Sequence, residues 1–230
     1  MVDIKGSTVV VTGGQRGLGK AIVTELLDRG AAKVYATARV PQPSDDPRVV
    51  SVELDVTQAD SVAALAAIAT DADIVINNAG ANGANELLSA SIDEVREVFE
   101  TNYFGPLRVA KAFAPILADH GGGALVDICS VLSWVAGFGA YGASKAALWH
   151  TTNTLRIELE KQGTLVTAVH VGYIDTDMVA EFDVQKSDPH FVAERILDGI
   201  QHGDAEVLVD ELTKHVKTIL SGPVEALRLG

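Results

Sequence analysis

Cysteine is almost absent from this sequence, and its scarcity excludes two classes of site. Cys129 is the single cysteine in 230 residues, and it lies within an apolar run. No disulfide can form within the chain, and no cluster of thiolate metal ligands can be assembled. A cysteine at the end of an apolar strand is typically a small buried residue, not a nucleophile. We expect a protein of the reducing cytoplasm.

Long hydrophobic runs and targeting signals are also lacking. No apolar run reaches the roughly 20 residues that a membrane-spanning helix requires. The opening sequence MVDIKGSTVVVTGG enters a strand pattern at once, without the charged, apolar and small-residue regions of a signal peptide. We therefore expect neither a membrane span nor a secreted protein.

Basic residues are few. Lysine and arginine total 18 against 31 aspartates and glutamates, which gives a formal net charge of -13. A surface of this sign repels phosphate backbones and anionic membranes, so neither nucleic acid nor membrane is an expected partner. A phosphorylated ligand would have to be bound by local arginines and backbone N–H groups. His150 and His170 have no companions at ligand spacing, and we expect no metal site.

The sequence does contain a regular alternation of short β-branched runs and longer helical patterns. The strand patterns are STVVVT, KVYATA, VVSVEL, DIVIN, ALVDIC, TLVTAVH and EVLVD. Continuous apolar character indicates strands that are covered on both faces. We predict a single α/β domain over residues 1–230, a doubly wound parallel sheet of about seven strands flanked by helices on both faces. The irregular segment DTDMVAEFDVQKSDPH is the predicted substrate lid.

A glycine-rich turn, TGGQRGLG, occupies residues 12–19 between the first predicted strand and the first predicted helix. Gly13, Gly17 and Gly19 permit a tight turn, and the helix start offers unpaired N–H groups to a pyrophosphate. Glycine-rich segments alone are weak evidence, because many are only turns. The position within a βαβ pattern makes this one a predicted dinucleotide site.

The end of the second predicted strand bears on the choice of cofactor. An acidic side chain there would accept hydrogen bonds from a free ribose 2′-hydroxyl, whereas an arginine would pair with a 2′-phosphate. The strand ends ATAR, so Ala38 offers no carboxylate, while Arg39 and Arg16 could bind a phosphate. The alternative is that both are ordinary solvated arginines. We predict that NADP(H) is preferred and that NAD(H) is the second choice.

A tyrosine, a lysine and a serine form the candidate catalytic group. Tyr141 and Lys145 are four residues apart in a helical pattern, so their side chains project from one face. A tyrosine has an unperturbed pKa of about 10, and a nearby ammonium group lowers that pKa by favouring the phenolate. Ser130, after the strand ALVDIC, could hydrogen-bond a carbonyl oxygen that gains negative charge. We predict that Tyr141 exchanges the proton.

These motifs resemble those of the short-chain dehydrogenase/reductase family. TGGQRGLG is similar to the family's TGxxxGxG turn, residues 77–80 to its NNAG segment, and residues 141–145 to its YxxxK motif. The resemblance covers nearly the whole chain and implies a Rossmann-type fold. Residues 1–120 would form roughly the cofactor-binding half, and residues 121–230 the catalytic and lid half. It further implies a ketone or aldehyde reductase, or alcohol dehydrogenase, with a Ser-Tyr-Lys mechanism.

The resemblance also implies roles for individual residues. Asn102 would act in the proton relay, Ser130 on the substrate carbonyl, Tyr141 as acid or base, and Lys145 on the tyrosine and the nicotinamide ribose. The complete predicted cofactor site is Gly13, Gly14, Gln15, Arg16, Gly17, Leu18, Gly19, Arg39, Asp55 (at the adenine), Val56, Asn78, Ala79, Gly80, Tyr141, Lys145, Gly172, Ile174 and Thr176 (at the carboxamide). The predicted substrate pocket is Ser130, Leu132, Tyr173 and Met178, whereas Trp134, Phe138 and Phe182 could equally be core.

Two positions depart from the family pattern. Ser130 lies two residues closer to Tyr141 than is usual, which a shorter loop at VAGFGA would explain, and Ser133 is a second candidate for its role. Val171 stands where the family often has proline. Valine constrains the backbone less than proline does, so we expect altered mobility of the lid.

Other function classes stay open beside the leading prediction of a reductase for aromatic, alicyclic or medium-chain carbonyl compounds. An NADP-binding regulator without catalysis would not need the tyrosine and lysine. A lyase that binds halide in place of the cofactor would not need the glycine-rich turn, and an epimerase on the same scaffold is a further alternative. The resemblance also implies a homodimer or homotetramer that pairs through the helices containing Tyr103 and Tyr141.

Overall fold

The apolar runs form a sheet of seven parallel strands in the computed structural model, which describes residues 2–228. The strands are β1 (Thr8–Val11), β2 (Lys33–Ala38), β3 (Val49–Glu53), β4 (Ile74–Asn77), β5 (Ala124–Ile128), β6 (Leu165–His170) and β7 (Glu206–Leu208). Their order is β3-β2-β1-β4-β5-β6-β7. β1, β4 and β5 are buried along their whole length, as continuous apolar runs predict for strands covered on both faces.

Helices cover both faces of this sheet. They are α1 (Gly17–Asp28), α2 (Ala59–Ile68), α3 (Ile92–Phe99), α4 (Gly105–Asp119), α5 (Gly139–Glu158), α6 (Pro189–His202) and α7 (Glu211–Ile219). α1 and α6 pack together on one face, and α2 and α4 pack together on the other. The predicted doubly wound, single-domain α/β fold is therefore confirmed. Within residues 2–228, no helix is both long and apolar enough to span a membrane.

The order of the strands places a switch point between β1 and β4. From this central pair the chain continues towards opposite edges of the sheet, through β2 and β3 on one side and β5 to β7 on the other. In open parallel sheets, ligands bind outside the carboxyl ends of the strands at such a point. The glycine-rich turn follows β1, residues 78–85 follow β4, and Ser130 follows β5, so all three lie at this edge.

The helix starts differ in how their free N–H groups are satisfied. Ser91 caps α3, and Asp188 and Asp210 cap α6 and α7, each through a side-chain oxygen. The predicted final strand EVLVD therefore ends at Leu208, because Asp210 already belongs to the cap of α7. Arg16 at the start of α1 makes no side-chain cap, and the first turn of α1 contains no acidic residue. The first backbone N–H groups of α1 are therefore free to bind another acceptor, such as a ligand.

The predicted lid lacks long regular elements. Between residues 171 and 188 the chain forms a short 3₁₀ turn at Asp177–Val179 and a β-bridge between Ile174 and Ser187. The Asp175 N–H donates to Ser187 O at 2.9 Å, and the Ser187 N–H donates to Tyr173 O at 2.8 Å. These bonds join the two ends of the lid.

Candidate active site

The turn after β1 folds tightly against its neighbours. Gly13 and Gly17 adopt φ angles of +65° and +49°, in the left-handed region that favours glycine. A Cβ atom on Gly19 would lie 2.1 Å from the carbonyl oxygen of Gly13 and 2.5 Å from Asn78 Nδ2. Glycine is therefore required at residue 19. The result is a concave backbone surface in front of the uncapped start of α1.

Thr12 fastens this turn to the end of β4, a role that the sequence analysis missed. Its hydroxyl accepts the backbone N–H groups of Asn78 and Ala79, each at 2.9 Å. The Asn78 amide donates in return to the carbonyl oxygens of Thr12 at 2.9 Å and Gly13 at 3.2 Å. The side chain of Asn78 therefore helps to fix the shape of the glycine-rich turn. The threonine that opens the motif was the available signal.

The two arginines predicted to bind a 2′-phosphate are both exposed. Arg16 begins α1 and Arg39 follows β2, and neither forms an ion pair within the described part of the chain. Asp55, at the predicted adenine side, accepts the Thr57 N–H at 2.9 Å and the Thr57 hydroxyl at 2.7 Å. Hydrogen bonds from Thr57, and secondarily the charge of Arg39, lower the pKa of Asp55. Arg39 and Asp55 therefore lie near each other, after β2 and β3.

Three predicted cofactor residues have side chains that are occupied by structural contacts. The Gln15 amide donates to Gln42 O at 2.9 Å and to Ser51 Oγ at 3.0 Å, which ties the turn to the loop after β2. Leu18 is buried in the core beneath α1, and Val56 is buried against the start of α4. Their side chains are turned to the protein, so these residues would offer a ligand only backbone groups.

Ser130, Tyr141 and Lys145 come together at the carboxyl end of β5. Ser130 and Tyr141 line one cavity. Lys145 Nζ lies 5.8 Å from the centre of the Tyr141 ring and donates to Ile128 O at 2.7 Å. Ser133, the second candidate for the serine role, is buried away from this cavity, and its hydroxyl has no hydrogen-bond partner among residues 2–228. The geometry therefore favours Ser130.

Burial controls the protonation of these groups. Burial raises the pKa of Tyr141 to about 12, although the Ser130 hydroxyl acts to lower it. Burial lowers the pKa of Lys145, against the opposing effects of Cys129 and Asp127. The prediction that Lys145 lowers the pKa of Tyr141 is therefore wrong in direction, because burial raises that pKa. Desolvation of the phenolate is the larger effect, so Tyr141 is protonated at neutral pH.

Asn102 connects two parts of the site. It is fully buried in a π-helical turn, Glu100–Phe104, between α3 and α4, and such turns are frequent at functional sites. Its amide donates to Ala81 O at 2.9 Å and to Ser144 Oγ at 3.1 Å, and its carbonyl accepts the Ala81 N–H at 2.8 Å. Asn102 therefore holds the segment after β4 against α5. Its part in a proton relay stays a prediction.

A buried carboxyl group, which the sequence motifs did not indicate, lies beneath the site. Asp127 in β5 accepts hydrogen bonds from Asn77 Nδ2 at 2.9 Å and from the Thr152 hydroxyl at 2.7 Å. Burial raises the pKa of Asp127, and the two hydrogen bonds oppose this shift. These contacts join β4, β5 and α5. An aspartate within an apolar strand was the available signal. Cys129, two residues later, is buried, and burial raises its thiol pKa, as expected of a structural residue.

His170, at the end of β6, contacts the backbone of Ser130. Its Nδ1 lies 2.9 Å from Ser130 O, and its ring stacks on Trp134 with ring centres 3.8 Å apart. Burial lowers the pKa of His170 to about 4. The imidazole is therefore neutral at pH 7, and its Nδ1–H donates to Ser130 O. Trp134 belongs to this packing, so of its two interpretations the core one is correct.

Thr176 and Ile174 reach the cofactor side of the site from the lid. A Cβ atom on Gly17 would lie 3.2 Å from the Thr176 methyl group, so the lid meets the glycine-rich turn there. Ile174 is half-buried against the core cluster of α1 and α6. Of the two predicted nicotinamide-side residues, Thr176 is therefore adjacent to the predicted pyrophosphate turn.

The backbone before the lid is held by hydrogen bonds. Val171 O accepts the Val131 N–H at 2.9 Å, and the Gly172 N–H donates to Asp210 Oδ2 at 2.7 Å. A Cβ atom on Gly172 would lie 3.2 Å from the same Asp210 oxygen. These contacts restrain the position at which valine replaces proline. The predicted change in lid mobility stays a prediction.

The cavity over Ser130 and Tyr141 is the candidate substrate pocket. All four residues predicted to line it do so, namely Ser130, Leu132, Tyr173 and Met178. Phe138 and Phe182, which the sequence analysis left between pocket and core, also line it. The other lining residues are Asn82, Val131, Tyr141, Gly172 and Val179. None of these side chains carries a charge, so the pocket suits a neutral, mainly apolar ligand.

A dinucleotide fits these features. The uncapped N–H groups of α1 and the concave glycine surface would hold a pyrophosphate, and Arg16 and Arg39 are exposed before α1 and after β2. Lys145, 4.0 Å from a Cβ atom placed on Gly80, lies between this surface and Tyr141. The site is therefore continuous from the glycine-rich turn to the candidate catalytic residues.

Known proteins are similar to this chain over most of its length. Residues 7–187 match the model of the family described as short chain dehydrogenase. An uncharacterized oxidoreductase of Myxococcus xanthus (strain DK1622) is 32% identical over 224 residues, which cover 90% of this chain and 88% of that protein. An uncharacterized oxidoreductase of Staphylococcus aureus (strain N315) is 32% identical over 228 residues, which cover 93% of this chain and 98% of that protein.

A solved structure with bound cofactor is similar as well. It is a short chain dehydrogenase from Burkholderia cenocepacia J2315 in complex with NADP, and it is 36% identical to this chain. The TM-score is 0.93, and the match covers 98% of this chain and 97% of that one. The likeness extends over the strands, the glycine-rich turn and the lid together.

Proposed function

Because the chain belongs to the short-chain dehydrogenase/reductase family, whose members are oxidoreductases, we propose that it transfers a hydride between NADP(H) and a carbonyl compound or secondary alcohol. The observation that carries the proposal is the meeting of Ser130, Tyr141 and Lys145 beside the glycine-rich turn. A protein that only binds a nucleotide would have no chemical need for this group of side chains.

Each of the three side chains has a distinct task in the reduction of a carbonyl group. When bound, the nicotinamide supplies or accepts the hydride. The Ser130 hydroxyl donates a hydrogen bond to the carbonyl oxygen and stabilises its developing negative charge. Tyr141 is protonated at neutral pH and donates its proton to the same oxygen. The charge of Lys145 then stabilises the phenolate that this transfer leaves.

The protonation of Tyr141 favours reduction at neutral pH. Since burial raises its pKa to about 12, the proton that a reduction consumes is already present on the phenol. Oxidation of an alcohol requires the phenolate and is therefore expected to gain from higher pH. The mainly apolar walls of the pocket exclude water from the reacting groups, both in the reduction and in the oxidation.

The first test compares the native protein with Tyr141→Phe. We expect NADPH-dependent reduction of ketones and aldehydes, followed by absorbance, with a kcat/KM that falls about 100- to 10,000-fold in the variant because the proton donor is lost. Tyr35→Phe is the matched control, since Tyr35 bonds Asp71, packs in the core cluster of α2 and α4 and does not line the pocket. It removes a phenol hydroxyl without touching the site.

Two results would contradict the proposal. NADPH that binds tightly but is never oxidised, in the native protein and in Tyr141→Phe alike, would indicate a nucleotide-binding regulator. Conversion of a substrate without net consumption of NADPH would indicate an epimerase or lyase on the same scaffold.

The preference for NADP(H) is part of the proposal and depends on Arg39 and Arg16. Their exposure, the lack of a carboxylate at Ala38 and the NADP-bound relative support it. We expect Arg39→Ser to reduce the kcat/KM ratio of NADPH over NADH about 10- to 100-fold, through loss of charge-assisted hydrogen bonds. Arg96→Ser, which breaks an exposed ion pair with Asp93, is the control. An unchanged ratio would contradict the arginine assignment.

We also propose that the chain forms a homodimer or homotetramer through α4 and α5. Two large apolar side chains are exposed on or next to these helices, Phe104 at 41% and Ile157 at 74% of their full area. Pairing with a second copy of the chain would cover them. Light scattering is expected to give the mass of a dimer or tetramer, and a monomeric mass would contradict this part.

A further inference from the structure

Phe138 has an unusual backbone conformation. Its φ and ψ are 55° and 28°, in the left-handed region, immediately before α5. For a residue other than glycine this conformation is strained, because the Cβ atom approaches the following carbonyl oxygen. Glycines flank it at residues 137 and 139, yet residue 138 itself is an aromatic residue. The loop is the one in which the spacing between Ser130 and Tyr141 is shortened.

A second left-handed residue braces the same loop. Ala84 has a φ of 49°, and within the described chain it and Phe138 are the two such residues other than glycine. The Ala140 N–H donates to Ala84 O at 2.9 Å, and a Cβ atom on Gly139 would lie 2.1 Å from that oxygen. Strained residues persist where the surrounding structure determines their conformation. The segment after β4 therefore fixes the start of α5.

The Phe138 side chain joins two other aromatic rings. Its ring centre lies 6.3 Å from that of Tyr173 and 5.9 Å from that of Phe182, at interplanar angles of 65° and 66°. Tyr173 and Phe182 are themselves 5.9 Å apart. All three distances are those that aromatic pairs prefer, and the two pairs formed by Phe138 have the favoured edge-to-face orientation. We call Phe138, Tyr173 and Phe182 the aromatic wall.

The aromatic wall lines the cavity that holds the Ser130 and Tyr141 hydroxyls. Its members come from three separate places, the loop before α5, the segment after β6 and the lid. Tyr173 and Phe182 belong to the irregular region, whereas Phe138 is fixed by the brace at Ala84. Phe138 is therefore the fixed member against which the other two pack.

We propose that Phe138 determines substrate specificity: its fixed ring anchors the aromatic wall, which favours neutral carbonyl compounds bearing a flat aromatic group over small aliphatic ones. The inference rests on the proposed function and names its substrate class. A flat group would pack against the exposed side of these rings while its carbonyl oxygen meets Ser130 and Tyr141. The left-handed conformation of residue 138 favours glycine, so the backbone alone would not require phenylalanine there.

Binding of two ketones, acetophenone and 2-butanone, tests the proposal without requiring turnover. Dissociation constants are measured by ligand-observed NMR on the full chain, with and without NADP+. The native protein is expected to prefer acetophenone, and Phe138→Leu is expected to reduce that preference about three- to tenfold by loss of the aromatic contacts. Phe138→Gly relieves the backbone strain and is expected to lose the same preference, so the two variants separate the ring from the strain.

Ala84→Gly is the matched control, because it relieves strain in the brace and leaves the ring in place. It is expected to raise the melting temperature and to keep the preference for acetophenone. Equal weakening of both ketones in Phe138→Leu and Phe138→Gly, or no weakening of either, would overturn the proposal. Failure of the native protein to prefer acetophenone would overturn it too.

The outcome is distinguishable from failure of the proposed function. That failure appears as absence of Tyr141-dependent oxidation of NADPH, whereas the role of Phe138 is decided by the ratio of the two ligand affinities. Hydrogen exchange provides a second measurement. Amides of the lid segment 175–187 are expected to exchange faster in Phe138→Leu than in the native protein, and unchanged exchange would contradict the anchoring role.

Discussion

The turn before α1 and the loop before α5 both lead into a helix that has no side-chain cap, yet they differ in which residues take the left-handed conformation. In the first, these residues are Gly13 and Gly17. In the second, Gly139 takes it with a φ of +48°, and so does Phe138 with a φ of +55°. Glycine adopts this conformation without steric strain, whereas phenylalanine does not.

The difference reflects what each region presents to a ligand. The turn before α1 presents backbone N–H groups, for which the absence of a side chain is the requirement. The loop before α5 presents side chains, so it retains a strained residue where a ring is needed. The turn before α1, which we call the backbone site, depends on close approach of a ligand to the main chain. The loop before α5 depends on the residues that pack behind its side chains. Three predictions test this distinction.

The largest effect is expected from the packing behind Ser130. An unfolded histidine takes up a proton near pH 6.5, but burial lowers the pKa of His170 to about 4 in the folded protein. Between these values the unfolded chain binds more protons, so stability is complete above pH 6.5 and falls as the pH falls towards 4. The loss amounts to about 3 kcal/mol. Urea unfolding at pH 7 and at pH 4 measures it.

His170→Asn is the comparison that isolates this effect. Its amide offers a donor to Ser130 O but no ionisable group, so the variant is expected to lack the additional loss of stability at low pH. Asp127 contributes in the opposite direction, because its pKa is raised in the folded state, and its contribution is common to both proteins. Identical pH dependence in the two proteins would show that the packing behind Ser130 does not titrate.

The next largest effect is expected in the backbone site. In Gly19→Ala the new methyl group would lie 2.1 Å from the Gly13 carbonyl oxygen, so the turn must shift. We expect NADPH affinity, measured by the fluorescence of the bound cofactor, to fall about 10- to 100-fold. Gly30→Ala, with a φ of +84° and its nearest neighbour at 3.4 Å, is the control for strain outside the site. Equal affinity in both variants would remove the distinction between the two regions.

A smaller effect is expected where the backbone site meets the lid. A Cβ atom on Gly17 would contact the Thr176 methyl group at 3.2 Å, and φ there is +49°. We expect Gly17→Ala to weaken NADPH binding about fivefold, from about 1 kcal/mol of strain and crowding. Thr176→Ser removes the methyl group, so the double variant should recover part of the affinity. If the double variant binds NADPH as weakly as Gly17→Ala alone, the loss of affinity comes from backbone strain at residue 17 and not from contact with Thr176.

Much of the fold could be predicted from the sequence because its strands are continuous apolar runs and its helices have regular periodicity. The glycine-rich turn and the pair Tyr141 and Lys145 could be located because each depends on local spacing. The end of β7 was predicted two residues too late, since EVLVD continues a strand pattern while Asp210 begins the cap of α7. Local patterns compete at such boundaries, and the tertiary contacts decide between them.

Other parts of the site depend on contacts between segments that are distant in sequence. His170 meets Ser130 across two strands, and Thr12 meets Asn78 across the switch point. The pKa of Tyr141 was predicted in the wrong direction because helical spacing shows that Lys145 is near but not how deeply the phenol is buried. Desolvation is a property of the whole packed structure, and no local motif contains it.

By itself the sequence determined the parallel sheet, the position of the glycine-rich turn and the identities of the candidate catalytic side chains, because periodicity and spacing act over a few residues. The tertiary structure alone decided the protonation of those side chains and the aromatic wall, because both arise from burial among distant segments. Phe138 shows the difference most clearly. Nothing in the sequence around Phe138 predicts its left-handed conformation. That conformation and its contacts with the rings of Tyr173 and Phe182 are seen only in the tertiary structure.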